Sequence, residues 1–197
     1  MAKGIPAIIL AAGASSRLGQ AKALVSIGDT NLVGLAHRRL QNAGCSPIVV
    51  VTSSELAFDC LNSVPGATIV INKAPQDGRT GSIQCGLMSL CGDHGRTPRR
   101  VLIAPVDRPG WNVSMVKQLM ESNNSCKPVS GDRSGHPVIL ADGDIEEVLA
   151  SYPDEALRDI ISFDSVQVDY QLISLNIDTE QDLQLLLEHE QTLLKKD

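Results

Sequence analysis

Short apolar runs recur along the chain, and most are followed by a stretch whose apolar residues fall at helical spacing. Ile5 to Leu10 opens the series as a buried strand. Residues 23–28 read as a short extended segment, and Asp29-Thr30-Asn31 offers caps for a helix over 31–43. In that helix Leu32, Leu35, Ala36, Arg39, Leu40 and Ala43 share a face, and Gly44 ends it. Pro47 to Thr52 and Ala67 to Ile71 are further strands, separated by a helix that starts near Ser53-Ser54-Glu55 and closes before Pro65-Gly66. The strands do not alternate apolar with polar, the pattern of parallel strands covered on both faces. A helix is predicted over Ser82 to Cys91, a strand over Val101 to Pro105 and a helix over Asn112 to Ser122.

The texture changes at 126–170. Lys127 to Ser130 and His136 to Leu140 read as strands flanking a charged turn, with helices over 144–151 and 154–161. Val166 to Asp169 and Leu172 to Leu175 read as extended. A final helix over 179–190 offers Leu183, Leu186 and Leu187 for packing, and the tail from Leu193 is expected to fray. Alternation of strand and helix through residue 122 predicts an α/β fold with a three-layer, mostly parallel sheet. Its 197 residues fit a single domain, in which 126–170 forms a lobe over the ligand end of the sheet.

Composition narrows the function classes. A net charge of −6 argues against a general nucleic-acid surface, and an aromatic content of 3% leaves few stacking platforms for single strands. The five cysteines form no C-x-x-C pair and read as separate thiols in a reducing compartment. With no leader peptide and no apolar run of spanning length, the expectation is a cytoplasmic protein without membrane association.

Candidate chemistry starts just past the first strand. Leu10-Ala11-Ala12-Gly13 runs into Ala14-Ser15-Ser16-Arg17-Leu18-Gly19, with Lys22 three residues on. Small side chains let the backbone approach a ligand, and free N–H groups in such a loop attract anions. Arg17 supplies a planar fork of donors and Lys22 a mobile point charge, both suited to phosphate. The same residues also fit a flexible turn with two solvated cations. Neither the P-loop nor the dinucleotide spacing of glycines is present.

Asp107 lies just past the fourth strand between Pro105 and Pro109, which stiffen the turn. A carboxylate beside a phosphate site calls for an intervening cation, and magnesium binds both oxygen types. Asp178 lies between an apolar segment and Thr179-Glu180, where a helix starts. Each Asp also suits a plain cap or turn. Gly78-Arg79-Thr80-Gly81-Ser82 can present backbone donors, a cation and hydroxyls to a ligand. Ser82 also suits a helix cap, Arg79 a solvated loop, and His136 a turn satisfied by backbone.

The segment at 10–22 resembles the L-A-A-G-x-S-x-R-x-G-x-x-K signature of the MobA-like nucleotidyltransferases. V-D-x-P at 106–109 and N-I-D-T-x-x-D-L at 176–183 resemble that family's later motifs, G-R-T-G-S-I its middle segment, and Gly135-His136-Pro137-Val138 its molybdenum cofactor cytidylyltransferase branch. The resemblance implies a Rossmann-like nucleotidyltransferase fold. It implies a nucleotide site at Leu10, Ala11, Ala12, Gly13, Arg17, Lys22, Arg79 and Ser82. Arg17, Lys22 and Asp107 would be catalytic, Asp107 and Asp178 would hold Mg2+, and His136 would meet the acceptor. Asn176 and Asp182 are supporting positions, Asp182 more structural than metal-binding.

The reaction implied is cytidylyl transfer from CTP to the phosphate of molybdopterin cofactor, releasing pyrophosphate. The partners implied are a nucleoside triphosphate, a phosphorylated acceptor and, transiently, a molybdoenzyme or its chaperone. A transferase for a sugar or polyol phosphate and a non-catalytic nucleotide-binding or cofactor-chaperone protein are the alternatives. Three positions depart from the family pattern: Val25 where a second Leu is frequent, Arg108 where Gln or Met is common, and Glu180-Gln181 where Pro-Glu is frequent. These bear on the acceptor more than on the transfer chemistry.

Overall fold

The computed structural model describes residues 4–13, 18–91 and 95–195. Strand β1 (Ala7–Leu10) is buried at every position and lies in the middle of the sheet. A 3₁₀ turn at Lys22–Leu24 and a small hairpin, β2 (Ser26–Ile27) and β3 (Thr30–Asn31), occupy the stretch expected to be simply extended. Asn31 then caps α1 (Leu32–Ala43), its Oδ1 accepting the Gly34 N–H at 2.9 Å. β4 (Ile48–Thr52), α2 (Ala57–Ser63) and β5 (Thr68–Ile71) follow as expected, with ends trimmed by a few residues.

Helix α3 runs Arg79–Leu90 and so starts three residues before the predicted Ser82. Arg79, Thr80 and Gly81 carry no apolar signal, so periodicity misses this turn. It is fixed instead by the Gly81 N–H, which donates to the Pro153 carbonyl at 3.0 Å, and by Gly78 at φ +133°. A Cβ on Gly78 would stand 2.4 Å from that same carbonyl. Gly86, further along α3, faces Ile8 of β1, and a Cβ there would lie 2.8 Å from its side chain. The missing side chain seats α3 directly on the central strand.

β6 (Arg100–Pro105) and α4 (Val113–Met120), capped by Asn112, complete the alternating half. β7 (Cys126–Ser130), β8 (Arg133–Ser134), β9 (Val138–Ala141) and β10 (Asp164–Gln167) surround α5 (Gly143–Ala150) and α6 (Leu157–Ile160). The sheet order is β10-β7-β9-β6-β1-β4-β5, with β8 beside β7. β1, β4, β5 and β6 pair in parallel, whereas β9 runs antiparallel to both β6 and β7. The strands of 126–170 thus extend the main sheet. Two apolar layers cover its faces: Ile9, Val50 and Leu102 point to one, Ile8, Val49 and Ile103 to the other. This is the predicted α/β class with a three-layer, mostly parallel sheet, although the added edge makes it mixed.

Three expectations at the chain's end are corrected. Leu172–Leu175 is no strand: Gln171–Ser174 forms a 3₁₀ turn, because a short apolar run does not specify its period. The final helix α7 (Glu180–Glu188) buries Leu186 but leaves Leu187 62% exposed. A further helix, α8 (Glu190–Leu194), then docks. Leu193 is 1% exposed, and its carbonyl accepts from Arg39 Nη2 at 2.6 Å, so the tail that was expected to fray is held at Leu193, and its last two positions, 196 and 197, lie outside the described residues. Leu193→Ala should therefore cost about 2–4 kcal/mol of unfolding free energy in urea titrations. A loss under about 0.5 kcal/mol, the size typical of surface substitutions, would mean that α8 is not docked in solution.

Candidate nucleotide site

The strand order reverses at β1 and β6, whose ends Leu10 and Pro105 are paired in register. In open α/β sheets such a reversal leaves a crevice beyond the strand ends. The Val106 N–H donates to the Leu10 carbonyl at 3.1 Å and the Ala11 N–H to Val51 at 2.8 Å, so the chain exits the sheet with its strand ends tied. A cleft opens there, lined by Leu10–Gly13, Lys22, Gly78, Arg79, Ser82 and Asp107. Seven of the eight predicted nucleotide residues border this one cleft, and Asp107 borders it with them. Arg17 lies outside the described residues.

Lys22 opens the 3₁₀ turn that follows the loop, anchored by buried Ala23. Its Nζ lies 2.5 Å from Asp178 Oδ1 and 3.9 Å from Asp107 Oδ2. Arg79 Nη2 approaches the same Asp107 oxygen at 3.5 Å. The two predicted carboxylates thus meet around one ammonium. Backbone contacts enforce the meeting, since the Ile177 N–H donates to the Asp107 carbonyl at 2.8 Å. Asp178 is fixed from its other side, its N–H donating to Asp182 Oδ2 at 2.9 Å. Asp182 also accepts from the Thr179 N–H and hydroxyl, which closes a capping box on α7. Although desolvation opposes it, these donors hold the Asp182 carboxyl below its ordinary range. Asp182 is structural, as its place inside the helix suggested.

The donor set fits a hard divalent cation. Among the described residues Asp107 Oδ1 is buried without a hydrogen-bond partner, leaving lone pairs unspent. Carboxylate oxygen is the ligand that magnesium and manganese prefer. Among the described residues no group of three or more His, Cys, Asp or Glu could cage a metal.

Ser82 is buried one turn inside α3 and caps nothing. Its Oγ accepts from Asn72 Nδ2 at 3.0 Å, and Asn72 Oδ1 takes the Ala74 N–H at 2.9 Å. Sequence reasoning passed over Asn72; the signal was an Asn directly after a strand, where its side chain bonds a backbone N–H two residues on. Arg39 was read only as part of a helix face. It is buried, stacks 5.1 Å from the Trp111 ring centroid and donates from Nη1 to the Pro109 carbonyl at 2.8 Å, so it braces the turn behind Asp107.

His136 stands apart from the carboxylates. It borders a second cavity of about 550 Å³ with Arg79, Thr80, Lys127, Glu155, Leu157 and Phe163. Arg79 lines both spaces. The cysteines enter neither wall, and burial pushes the Cys45 thiol up to about 12.

A mostly parallel sheet with a small-residue loop, a lysine and two carboxylates gathered past its reversal is an arrangement suited to a nucleotide and a divalent cation. The model of the MobA-like NTP transferase domain matches residues 7–169, and the chain belongs to that family. It is 29% identical over 152 residues to the nicotine blue oxidoreductase of Paenarthrobacter nicotinovorans, covering 71% of this chain and 72% of that one. Among solved structures, the Mycobacterium sp. strain JC1 homologue of Mycobacterium tuberculosis Rv0371c superposes with a TM-score of 0.80. It is 23% identical, covering 96% of this chain and 98% of that one. Rv0371c itself has been solved as a manganese complex, at a TM-score of 0.76 and 17% identity over 95% and 100% of the two chains. The 4-diphosphocytidyl-2C-methyl-D-erythritol synthase of Anaerococcus prevotii shares the fold at a TM-score of 0.71 and 16% identity, over 96% of each chain.

Burial lowers His136 to about 3, and the positive charges of Arg79 and Arg108 act in the same direction. The imidazole is therefore neutral in the folded protein near neutral pH. Between that value and the ordinary 6.5 the unfolded chain binds the extra proton, so this contribution is present above 6.5 and is lost as pH falls. Relative to His136→Gln, the parent should lose about 2 kcal/mol of unfolding free energy between pH 7 and pH 5. Parallel pH profiles for the two proteins would show His136 protonating freely in the fold.

Proposed function

We propose that the protein transfers a cytidylyl group from CTP to the phosphate of molybdopterin cofactor. The observation that carries this reading is the convergence of Lys22, Asp107 and Asp178 beside the small-residue loop at 10–13. A purely structural pair of caps has no reason to share a lysine at the mouth of a phosphate cleft. The L-A-A-G form of the loop and the G-H-P-V element at 135–138 support the cytidylyl branch and this acceptor. The second cavity supports a bulky acceptor over a polyol phosphate. Its 550 Å³ exceeds what a short polyol fills, and Phe163, Leu157 and Val138 give it an apolar side. Nicotine blue oxidoreductase bears the name of a different chemistry, so membership of the family does not by itself assign the reaction.

In the proposed reaction an oxygen of the acceptor phosphate forms a bond to the α-phosphorus of CTP. The bond from that phosphorus to the bridging oxygen breaks, and pyrophosphate leaves with the electron pair. A phosphate monoester is already ionised near neutral pH, so positioning and charge stabilisation suffice. The N–H groups of 11–13 bind the triphosphate. Lys22 neutralises charge growing on the leaving oxygen. Asn72 holds the Ser82 hydroxyl in the nucleotide wall, and His136 with Arg79 receives the acceptor. Asp107 and Asp178 would hold magnesium, which when bound neutralises and orients the phosphates.

The reading is tested by pyrophosphate release screened across the four NTPs with molybdopterin cofactor and with sugar and polyol phosphates. CTP with molybdopterin cofactor should give the highest kcat/KM. Release only with a sugar or polyol phosphate would move the acceptor, and nucleotide binding without release under any condition would indicate a non-catalytic protein. Lys22→Ala should lower kcat at saturating NTP at least about 100-fold, the scale of one lost charge-stabilising donor. Asp107→Asn should shift the magnesium dependence to higher concentration. An unchanged turnover in the first variant, or superimposable magnesium titrations in the second, would remove that residue from its role.

A further inference from the structure

Among the described residues, the acidic and basic side chains at the mouth of the cleft are already paired with one another before any ligand arrives. Asp107 and Asp178 contribute two negative charges, and Lys22 and Arg79 answer them with two positive ones at 2.5, 3.9 and 3.5 Å. Lys22 is the pivotal member. Its side chain is 15% exposed and stands between both carboxylates, where a cation shared by them has to compete with it. It also borders the loop at 10–13, the anion-binding side of the same cleft. An ammonium on a four-carbon stem can serve either side, but not both fully at once.

We infer that Lys22 is an exchangeable counter-ion that makes divalent metal and nucleoside triphosphate bind as one cooperative unit. This rests on the proposed nucleotide site, and it concerns how that site is loaded. A divalent cation alone must displace Lys22 from two carboxylates and then leaves a surplus of positive charge in a partly buried cleft. A triphosphate alone draws Lys22 away and leaves Asp107 and Asp178 facing each other and the phosphates without it. When both arrive, the carboxylates would hold the metal and Lys22 would move to phosphate, so each carboxylate and the phosphates have a cation beside them. The buried Asp107 Oδ1, which has no hydrogen-bond partner among the described residues, would gain a cation to coordinate in that exchange. The coupling is reciprocal: whatever factor the nucleotide contributes to metal affinity, the metal returns to nucleotide affinity.

The experiment is a binding cycle that needs no turnover. Mn2+ binding is followed by the electron paramagnetic resonance signal of the free ion, with and without a CTP analogue carrying a methylene bridge between the α and β phosphates. Analogue binding is followed by calorimetry with and without Mn2+. In the parent, the analogue should tighten Mn2+ at least 10-fold beyond the affinity of Mn2+ for the analogue in solution. In Lys22→Gln, Mn2+ alone should bind more tightly than to the parent, while the coupling factor falls toward one. Lys22→Arg, which keeps the charge, should retain part of the coupling and shows that the fold tolerates replacement. Asp178→Asn should weaken Mn2+ in both states.

Independent binding of metal and analogue in the parent would overturn the inference, as would weaker Mn2+ binding in Lys22→Gln. These outcomes are separable from the fate of the proposed reaction. Coupling without pyrophosphate release leaves the counter-ion in place and removes the enzyme reading. Release without coupling does the reverse.

Discussion

The hydrogen bond from the Ile177 N–H to the Asp107 carbonyl ties the end of the fourth parallel strand to the segment that precedes α7. Asp107 alone is a carboxylate on a proline-flanked turn, and Asp178 alone precedes a helix. Joined backbone to backbone, they present their side chains to the same lysine. The charge pattern of the cleft follows from that proximity, because two carboxylates close together demand positive charge beside them.

The surrounding structure reinforces this junction from several sides. Arg39 reaches out of α1, lies over Trp111 and bonds the Pro109 carbonyl two residues beyond Asp107. Its other nitrogen bonds the Leu193 carbonyl, so the last helix is tied to the same brace. Asp182 fixes Asp178 through the capping box. The buried charge-assisted bonds of Arg39 cost desolvation, and their benefit lies in geometry as much as in stability. Side chains held on several sides keep the orientation that a reacting centre needs.

Much of this was legible in the residue order. Apolar runs located the parallel strands because a strand covered on both faces has to be apolar throughout. Loop residues 10–13, Lys22, Asp107 and Asp178 were legible because small residues, a cation and carboxylates at strand ends are scarce and chemically pointed. What escaped detection depends on contacts between distant segments. The first turn of α3 carries no apolar residue and is set by the Pro153 carbonyl. The docking of Leu193 depends on Arg39, and the Asn72–Ser82 pair spans a strand end and a helix. The strands of 126–170 read as a lobe over the ligand end of the sheet, and their antiparallel addition to β6 goes unread since it leaves no mark on local periodicity.

Gly86 has an effect well away from its own position. With no Cβ to hold it off Ile8, α3 rests against β1, and Arg79 and Ser82 at its other end come as near to the loop at 10–13 as that seat allows. The spacing between the jaws of the cleft is thus set by atomic volume at a point that no ligand meets. A family of such proteins could broaden or tighten its grip through this distant hinge of bulk, leaving every residue that touches the guest untouched.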